Sequence, residues 1–184
     1  MTVDEIFSGL AAHMIKGLMI HSQMMSYYDF LGLEGYGECH KYHYWEEGQR
    51  HIDLIEHYFK YHHKLIKSEK VEDPNLIPKS WFSYEQKDVD VSTIRNSVKA
   101  GMERWLEWEQ STLEYYKKMH AELFTLREIT DMCFVECLIK DVSEEISEIE
   151  RYYNKHKVLD FDIDYIYEIQ KKESKKYRKK IEEC

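Results

Sequence analysis

Apolar and polar residues recur along most of the chain with the period of about 3.6 residues that marks an amphipathic helix. This pattern predicts four long helices, at about 3–31, 38–67, 92–123 and 125–154. A fifth helical segment is predicted after Asp160 and Asp162, either of which can cap it. No repeat of solenoid period is visible, so the helices belong to one compact bundle rather than to a repeat array.

Capping residues support the predicted helix starts. Thr2 and Glu5 have the spacing of a capping box, in which each side chain satisfies a backbone donor of the first turn. Thr125 and Glu128 have the same spacing and predict that the fourth helix starts almost where the third ends. Ser92 is the predicted N-cap of the third helix.

The connections between these helices are short, long and short. Gly32, Gly35 and Gly37 predict a tight turn after the first helix, whereas a break over 68–91 separates the second from the third. Two antiparallel helical hairpins joined by a long crossover form a known bundle topology. Aromatic residues predict that the crossover packs against the bundle: Trp81, Phe82 and Tyr84.

Composition agrees with an all-α fold of one ordinary domain plus an additional helix. The chain has 184 residues, of which 43% are hydrophobic, and only 7 Gly and 2 Pro, too few turn residues for a many-stranded β fold. We predict a four-helix bundle over 1–157 and a C-terminal amphipathic helix over 158–184. The end of that helix is basic, which suits a solvated face, an internal docking contact or a contact for an acidic partner.

The formal net charge of −9 argues against non-specific nucleic-acid binding and favours a basic partner. No apolar run is long enough to span a membrane, and the first residues lack a secretory leader. The four cysteines show no zinc-finger spacing, so we expect reduced thiols and a cytoplasmic location. Cys133 and Cys137, four residues apart, are expected to be small buried side chains.

The second helix carries an unusual polar stripe. His40, His43, Glu47 and His51 fall within an arc of about 80° and share their side of the helix with apolar residues. An unpaired buried carboxylate is costly, so a metal ion or a hydrogen-bond partner is expected beside it. His40, which lies nearest the turn, is expected at the surface.

Each of the other long helices contributes at least one inward-leaning residue of a metal-ligating type. Carboxylates and imidazoles on facing helices can surround one or two divalent ions. Buried core histidines and surface salt bridges are the alternatives for the individual members. The complete candidate set is His21, His43, Glu47, His51, Glu109, Asp141 and Glu145.

Residues 6–155 resemble the ferritin-like superfamily, in helix length, crossover and local motifs. In that family the second helix carries Glu-x-x-His, and the matching stretch here is 45–51, in which His51 takes the place of the histidine. The resemblance also matches Glu109, followed by Gln110, to the family glutamate of the third helix and Glu145 to that of the fourth.

The chain departs from this family pattern at two ligand positions. The glutamate before the histidine falls on Gly48, with Glu47 one residue away, and the first helix has no acidic residue over 15–17, although His21 follows one turn later. The resemblance therefore implies one metal ion, zinc or iron with manganese as a further candidate, or a vestigial site, rather than the usual pair of irons. The long fifth segment does not favour the 24-subunit cage.

A second resemblance covers the whole chain. The strings MTVDEIF, IPKSWF, DVDV and ERWLEWEQ are similar to those of small proteins carried by phages and mobile elements of gut bacteria, a setting that includes type II anti-CRISPR proteins. This resemblance implies a phage-encoded inhibitor of a nuclease defence, in the cytoplasm of the host cell.

Two functions of different classes follow from these observations. The first is a non-enzymatic, metal-binding helical protein whose acidic surface binds a basic protein, such as the nuclease effector Cas9; a homodimer is a further expectation. The alternative is a di-iron or di-manganese enzyme that oxidises Fe(II) or activates oxygen. The two missing glutamates favour the first function, and His51, Glu109 and Glu145 favour the alternative. No motif supports any other enzyme class.

Overall fold

The computed structural model describes residues 1–67, 69–72, 74 and 89–183. Five helices make up this part of the chain: α1 (Val3–Phe30), α2 (Glu34–His62), α3 (Val91–Leu126), α4 (Ile129–Val158) and α5 (Ile163–Glu183). α1 packs against α2, α3 against α4, and α5 mainly against α2. The predicted all-α fold, a four-helix bundle with an additional C-terminal helix, is confirmed. The predicted packing of Trp81, Phe82 and Tyr84 lies outside the described residues.

Of the two predicted capping boxes, the first is confirmed and the second is wrong. The Thr2 hydroxyl accepts from the backbone N–H of Glu5 at 3.2 Å, and the Glu5 carboxylate accepts from the N–H of Thr2 at 2.8 Å. The Thr125 hydroxyl instead donates to the carbonyl of Ala121, because Thr125 still lies inside α3. α4 begins after Glu128, whose side chain makes no cap hydrogen bond.

The turn between α1 and α2 is shorter than predicted. Gly32, at φ 72°, provides the left-handed residue of the turn, and the fully buried Leu33 precedes the first residue of α2. Gly35 lies inside α2, at the crossing with α5, where an added Cβ would overlap the carbonyl oxygen of Gln170. α2 therefore starts at Glu34 rather than at 38, and it ends at His62 rather than at 67.

The start of α3 and the ends of the last helices also differ from the prediction. Asp90 rather than Ser92 caps α3, because its carboxylate accepts from the N–H of Thr93 at 2.7 Å. α4 continues to Val158, four residues beyond the predicted end. The carboxylate of Asp162 accepts from the N–H of Tyr165 at the start of α5, so Asp162 provides the cap there.

Two apolar clusters fill the bundle, one toward each end. One cluster contains Phe7, Leu10, Leu54, Leu123 and Val135, and the other lies at the end covered by α5 and contains Tyr28, Leu33, Val98 and Ile166. A small cluster of Cys39, Trp105, Ile149 and Tyr177 lies between them. The middle of the bundle is thus the level at which polar side chains meet.

Several basic residues of α5 pair with acidic residues of the bundle. Lys176 lies 2.6 Å from Glu148 of α4, and Arg178 lies 3.2 Å from both Glu34 and Glu38 of α2. Internal docking therefore accounts for part of the basic end. Among the described helices, none combines the length and the apolar character needed to cross a bilayer.

The expectation of two buried cysteines on α4 is wrong. Cys133 and Cys137 are both exposed, whereas Cys39 of α2 is buried. On α4 the core side is occupied instead by Val135, Leu138 and Val142. The four-residue spacing correctly placed the two cysteines on one face of a helix but left open which face points inward.

Candidate metal centre

A layer of buried polar side chains separates the two apolar clusters at the middle of the bundle. α2 contributes His40, His43 and Glu47, whose spacing of three and four residues places them on one face. α1 contributes His21 and α3 contributes Glu109. None of the five residues is more than 5% exposed, so their partners must be provided inside the protein.

His21 and His40 satisfy each other. Their Nδ1 atoms are 3.0 Å apart, so one of these nitrogens donates a proton and the other accepts it. Burial lowers the pKa of both imidazoles well below the ordinary value, which makes both neutral at pH 7. Trp105 packs against His40 with ring centroids 4.6 Å apart, and its indole N–H donates to Glu109 at 3.1 Å.

His43 lies at the outer edge of this layer and is less well satisfied. Within the described part of the chain, its Nε2 makes no hydrogen bond. Its Nδ1 is 3.0 Å from the carboxylate of Glu46. Burial alone would lower the pKa of His43, but the Cys39 and Glu46 side chains raise it above its ordinary value. A cation next to Glu46 would give this buried imidazole the partner it lacks.

Arg50 joins two carboxylates across the bundle. Its guanidinium donates to Glu47 at 2.6 Å and also to Glu145 of α4. Burial raises the pKa of Glu47 to about 7, although Arg50 acts in the opposite direction. Burial and the nearby Glu145 and Glu47 carboxylates raise the pKa of Glu109 well above its ordinary value.

An acidic cleft of about 400 Å³ opens from this layer to solvent between α2 and α4. His43, Glu46 and Glu145 each present one ligand atom to it, and these three atoms lie within 4.8 Å of one another. One imidazole and two carboxylates form a donor set that suits iron, zinc or manganese. The ligand atoms need only a small movement to reach the contact distances of a single metal ion.

The residues at the middle of the bundle do not fit a pair of metal ions. A Cβ at Gly17 of α1 would lie 3.1 Å from Oε2 of Glu47, so α1 offers no carboxylate here and leaves little room for one. Arg50 already pairs with both Glu47 and Glu145. A single cation fits the outer edge, because His43, Glu46 and Glu145 bring one ligand atom each close together beside the cleft.

The predicted ligand residues fall into three groups. The structure brings together five of them around the polar layer: His21, His43, Glu47, Glu109 and Glu145. Asp141 is exposed and lines the acidic cleft. His51 is half-buried and, within the described residues, makes no hydrogen bond, ion pair or ring contact, so the structure does not bring it into the set.

Three residues of this site were not expected from the sequence. His40 was expected at the surface, and that expectation is wrong, because the helix starts four residues earlier and α5 covers its first turns. Glu46 and Arg50 were not predicted. Arg50 follows Glu47 by three residues, which is the Glu-x-x-His spacing with arginine in place of histidine. This spacing of a glutamate and a basic residue could have indicated Arg50. It lies one residue before the Gly48 and His51 pair that was matched to the family motif.

A second polar cluster lies near the far end of α2. The carboxylate of Asp131, 1% exposed, accepts from His57 at 2.8 Å and from His62 at 2.9 Å. The ring of Phe7 packs against both imidazoles. Because both carboxylate oxygens are occupied by ring nitrogens, this cluster is satisfied without a metal ion and ties α2 to the start of α4.

Comparison with known proteins identifies the fold but not a sequence family. No family model matches the chain, and no curated protein matches it by sequence. The structure is similar to the ferritin of Archaeoglobus fulgidus engineered into a closed form, at 16% identity and a TM-score of 0.77, covering 95% of this chain and 96% of that one. The open-pore ferritin of the same archaeon matches at 17% identity and a TM-score of 0.76, over 92% of this chain and 93% of that one.

A third solved structure belongs to a different organism. The apo-ferritin of Pseudo-nitzschia multiseries matches at 12% identity and a TM-score of 0.74, covering 91% of this chain and 95% of that chain. At these identities the comparisons establish a ferritin-like fold over nearly the whole chain and leave its chemistry open. The resemblance to phage-borne anti-CRISPR proteins stays a prediction.

Proposed function

We propose that the protein binds one divalent transition-metal ion, with Fe(II) as the first candidate, through His43, Glu46 and Glu145. The observation that carries this proposal is His43, a buried imidazole beside an acidic cleft, whose Nδ1 lies 3.0 Å from the Glu46 carboxylate and whose Nε2 makes no hydrogen bond within the described residues. The ferritin-like fold supports iron as the candidate, since one structural neighbour is a PmFTN variant soaked in iron.

Each ligand has a definite role at this site. His43 would supply a nitrogen donor when a metal ion replaces its proton, and its ring is held in position against Trp105 with centroids 5.0 Å apart. Glu46 and Glu145 supply negative charge from α2 and α4, so that a bound cation would bridge the two helices. Asp141 and Glu148 add further acidic side chains to the cleft and favour the approach of cations.

Titration of the purified, metal-free protein with Fe(II) under anaerobic conditions tests this proposal. Calorimetry is expected to give one ion per chain, with affinity reduced at least about 10-fold in Glu46→Gln and in His43→Gln, because each loses a donor. Glu150→Gln removes an exposed carboxylate of α4 outside the cleft and is the matched control. Equal affinity in wild type and Glu46→Gln would contradict the proposal.

Iron oxidation is the second candidate, and the fold itself is the observation that favours it. The comparisons agree better with an iron-handling protein than with an inhibitor of a nuclease. Oxygen consumption after addition of Fe(II) separates binding from oxidation. If the site only binds one ion, wild type and Glu46→Gln are expected to consume oxygen at the same rate. A fast phase of oxygen consumption in wild type, with two irons bound per chain, would favour the ferroxidase.

The earlier expectation of a basic protein partner, such as Cas9, stays a prediction. It concerns the acidic surface and does not depend on the metal site.

A further inference from the structure

Arg50 lies inside the polar layer rather than at its solvent edge. Only 12% of its side chain is exposed, and the carboxylates that flank it, Glu47 and Glu145, are 5% and 11% exposed. One nitrogen of the guanidinium faces each carboxylate. A buried cation with two charge-assisted hydrogen bonds is a fixed part of the structure, because removing either partner would leave a charge uncompensated.

Arg50 occupies a position on α2 at which a metal-ligating side chain would be expected. It follows Glu47 by three residues, so both side chains project from one face of the helix, and Arg50 reaches Glu145 of α4. In the Glu-x-x-His pattern of the superfamily that this chain resembles, a metal-ligating histidine follows the glutamate at this spacing. A guanidinium has no free lone pair and stays protonated, so it brings positive charge to this position and cannot ligate a cation.

The opposite wall of the layer agrees with this assignment. Gly17 of α1 faces Glu47 and contributes no side chain there. Two divalent ions require several carboxylates, and here the guanidinium already engages two of them, Glu47 and Glu145. A second ion beside Glu47 would also lie close to a fixed positive charge, which is strongly unfavourable at low exposure.

We propose that the Arg50 guanidinium takes the place of a second metal ion, pairing with Glu47 and Glu145 and limiting the protein to one cation. This inference rests on the proposed function for the first cation. What it adds is that Arg50 excludes a second cation. Replacing Arg50 by a neutral ligand is therefore expected to create a second cation site.

The test compares wild type with Arg50→His, which restores a ligand type at this position, and with Arg50→Lys, which keeps the positive charge and is the control. Co(II) alone is the probe. The number of ions per chain is measured by calorimetry and by elemental analysis after gel filtration. Folding of each variant, with and without Co(II), is followed by circular dichroism. We expect one Co(II) in wild type and in Arg50→Lys, and two in Arg50→His.

The possible results separate this inference from the proposed function. One ion in both wild type and a folded Arg50→His would overturn the inference and leave the proposed single site intact, whereas no ion in either protein would overturn both. Two ions in Arg50→Lys would also overturn it, because the charge would then not be what excludes the second ion. No ion in wild type but binding in Arg50→His would refute the proposed function and support the inference. An Arg50→His protein that fails to fold even with Co(II) counts against the inference, since the metal should replace the lost charge.

Discussion

His156 provides a direct test of how burial controls the stability of this bundle. Its ring is fully buried in the last turn of α4, with Nε2 2.9 Å from the hydroxyl of Tyr36 and one face against Phe161. Burial lowers the pKa of His156 to about 4, whereas a histidine in the unfolded chain titrates near 6.5. Between these values the unfolded chain binds more protons, so the stability contributed by neutral His156 is lost as the pH falls.

The size of the effect follows from the two pKa values. Their difference corresponds to about 3.4 kcal/mol in full, of which about 1.8 kcal/mol falls between pH 7 and pH 5. Other buried groups titrate in the same range, and some act in the opposite direction. Because the pKa of Glu47 is raised to about 7, its protonation stabilises the folded protein as the pH falls through that value. The total pH dependence of unfolding therefore does not isolate His156.

Comparison of wild type with the variant His156→Gln isolates the contribution of His156 to the pH dependence of unfolding. His156→Gln keeps a polar group beside Tyr36 but does not titrate. Urea unfolding followed by circular dichroism at pH 5, 6 and 7 gives the unfolding free energy of both proteins, and groups common to both cancel in the difference. Wild type is expected to lose about 1.8 kcal/mol more than the variant between pH 7 and pH 5. His63→Gln, at an exposed histidine, is the control.

One result would refute this reasoning. If the difference in unfolding free energy between wild type and His156→Gln is the same at pH 5 and pH 7, then burial does not hold His156 neutral. The comparison requires that each protein unfolds in a single two-state transition, which coincident far-ultraviolet and fluorescence curves establish.

Three further predictions concern other parts of the molecule. Asp131→Ala leaves His57 and His62 without their shared acceptor and is expected to lower the unfolding free energy by about 3–5 kcal/mol in urea denaturation; a loss below about 1 kcal/mol would contradict the assigned contacts. A homodimer through the outward face of α2, where Ile52 and Phe59 are 49% and 58% exposed, should be disrupted by Ile52→Glu in light scattering, and a wild type that is monomeric at every concentration would argue against it. Capture by a basic protein partner such as Cas9 should weaken between about 0.05 M and 0.5 M salt, and salt-independent capture would exclude electrostatic docking.

Local sequence signals predicted the helices well where the deciding interactions are local. The reciprocal hydrogen bonds of Thr2 and Glu5 need only four consecutive residues, and they form as expected. Thr125 and Glu128 have the same spacing, yet α3 runs through Thr125. Packing of the hairpin decides where α3 ends, and no local pattern contains that information.

The candidate site depended more strongly on tertiary packing. Helical spacing correctly placed His43 and Glu47 on one buried face. It could not distinguish His51 from Arg50, since neighbouring residues differ by about 100° in direction and the orientation of α2 is set by its contacts with α1 and α5. Asp131 was missed for a similar reason, because its imidazole partners lie about 70 residues earlier in the chain.

The crossing of α2 and α5 at Gly35 links the C-terminal helix to the histidine layer. Any side chain at this position would displace α5, and Tyr177, packed against the ring of His43, would move with it. A glycine about two turns before His43 on α2 therefore controls how the ring of this proposed ligand is packed. A scan of all substitutions, scored by metal retention, should find position 35 as intolerant as position 43.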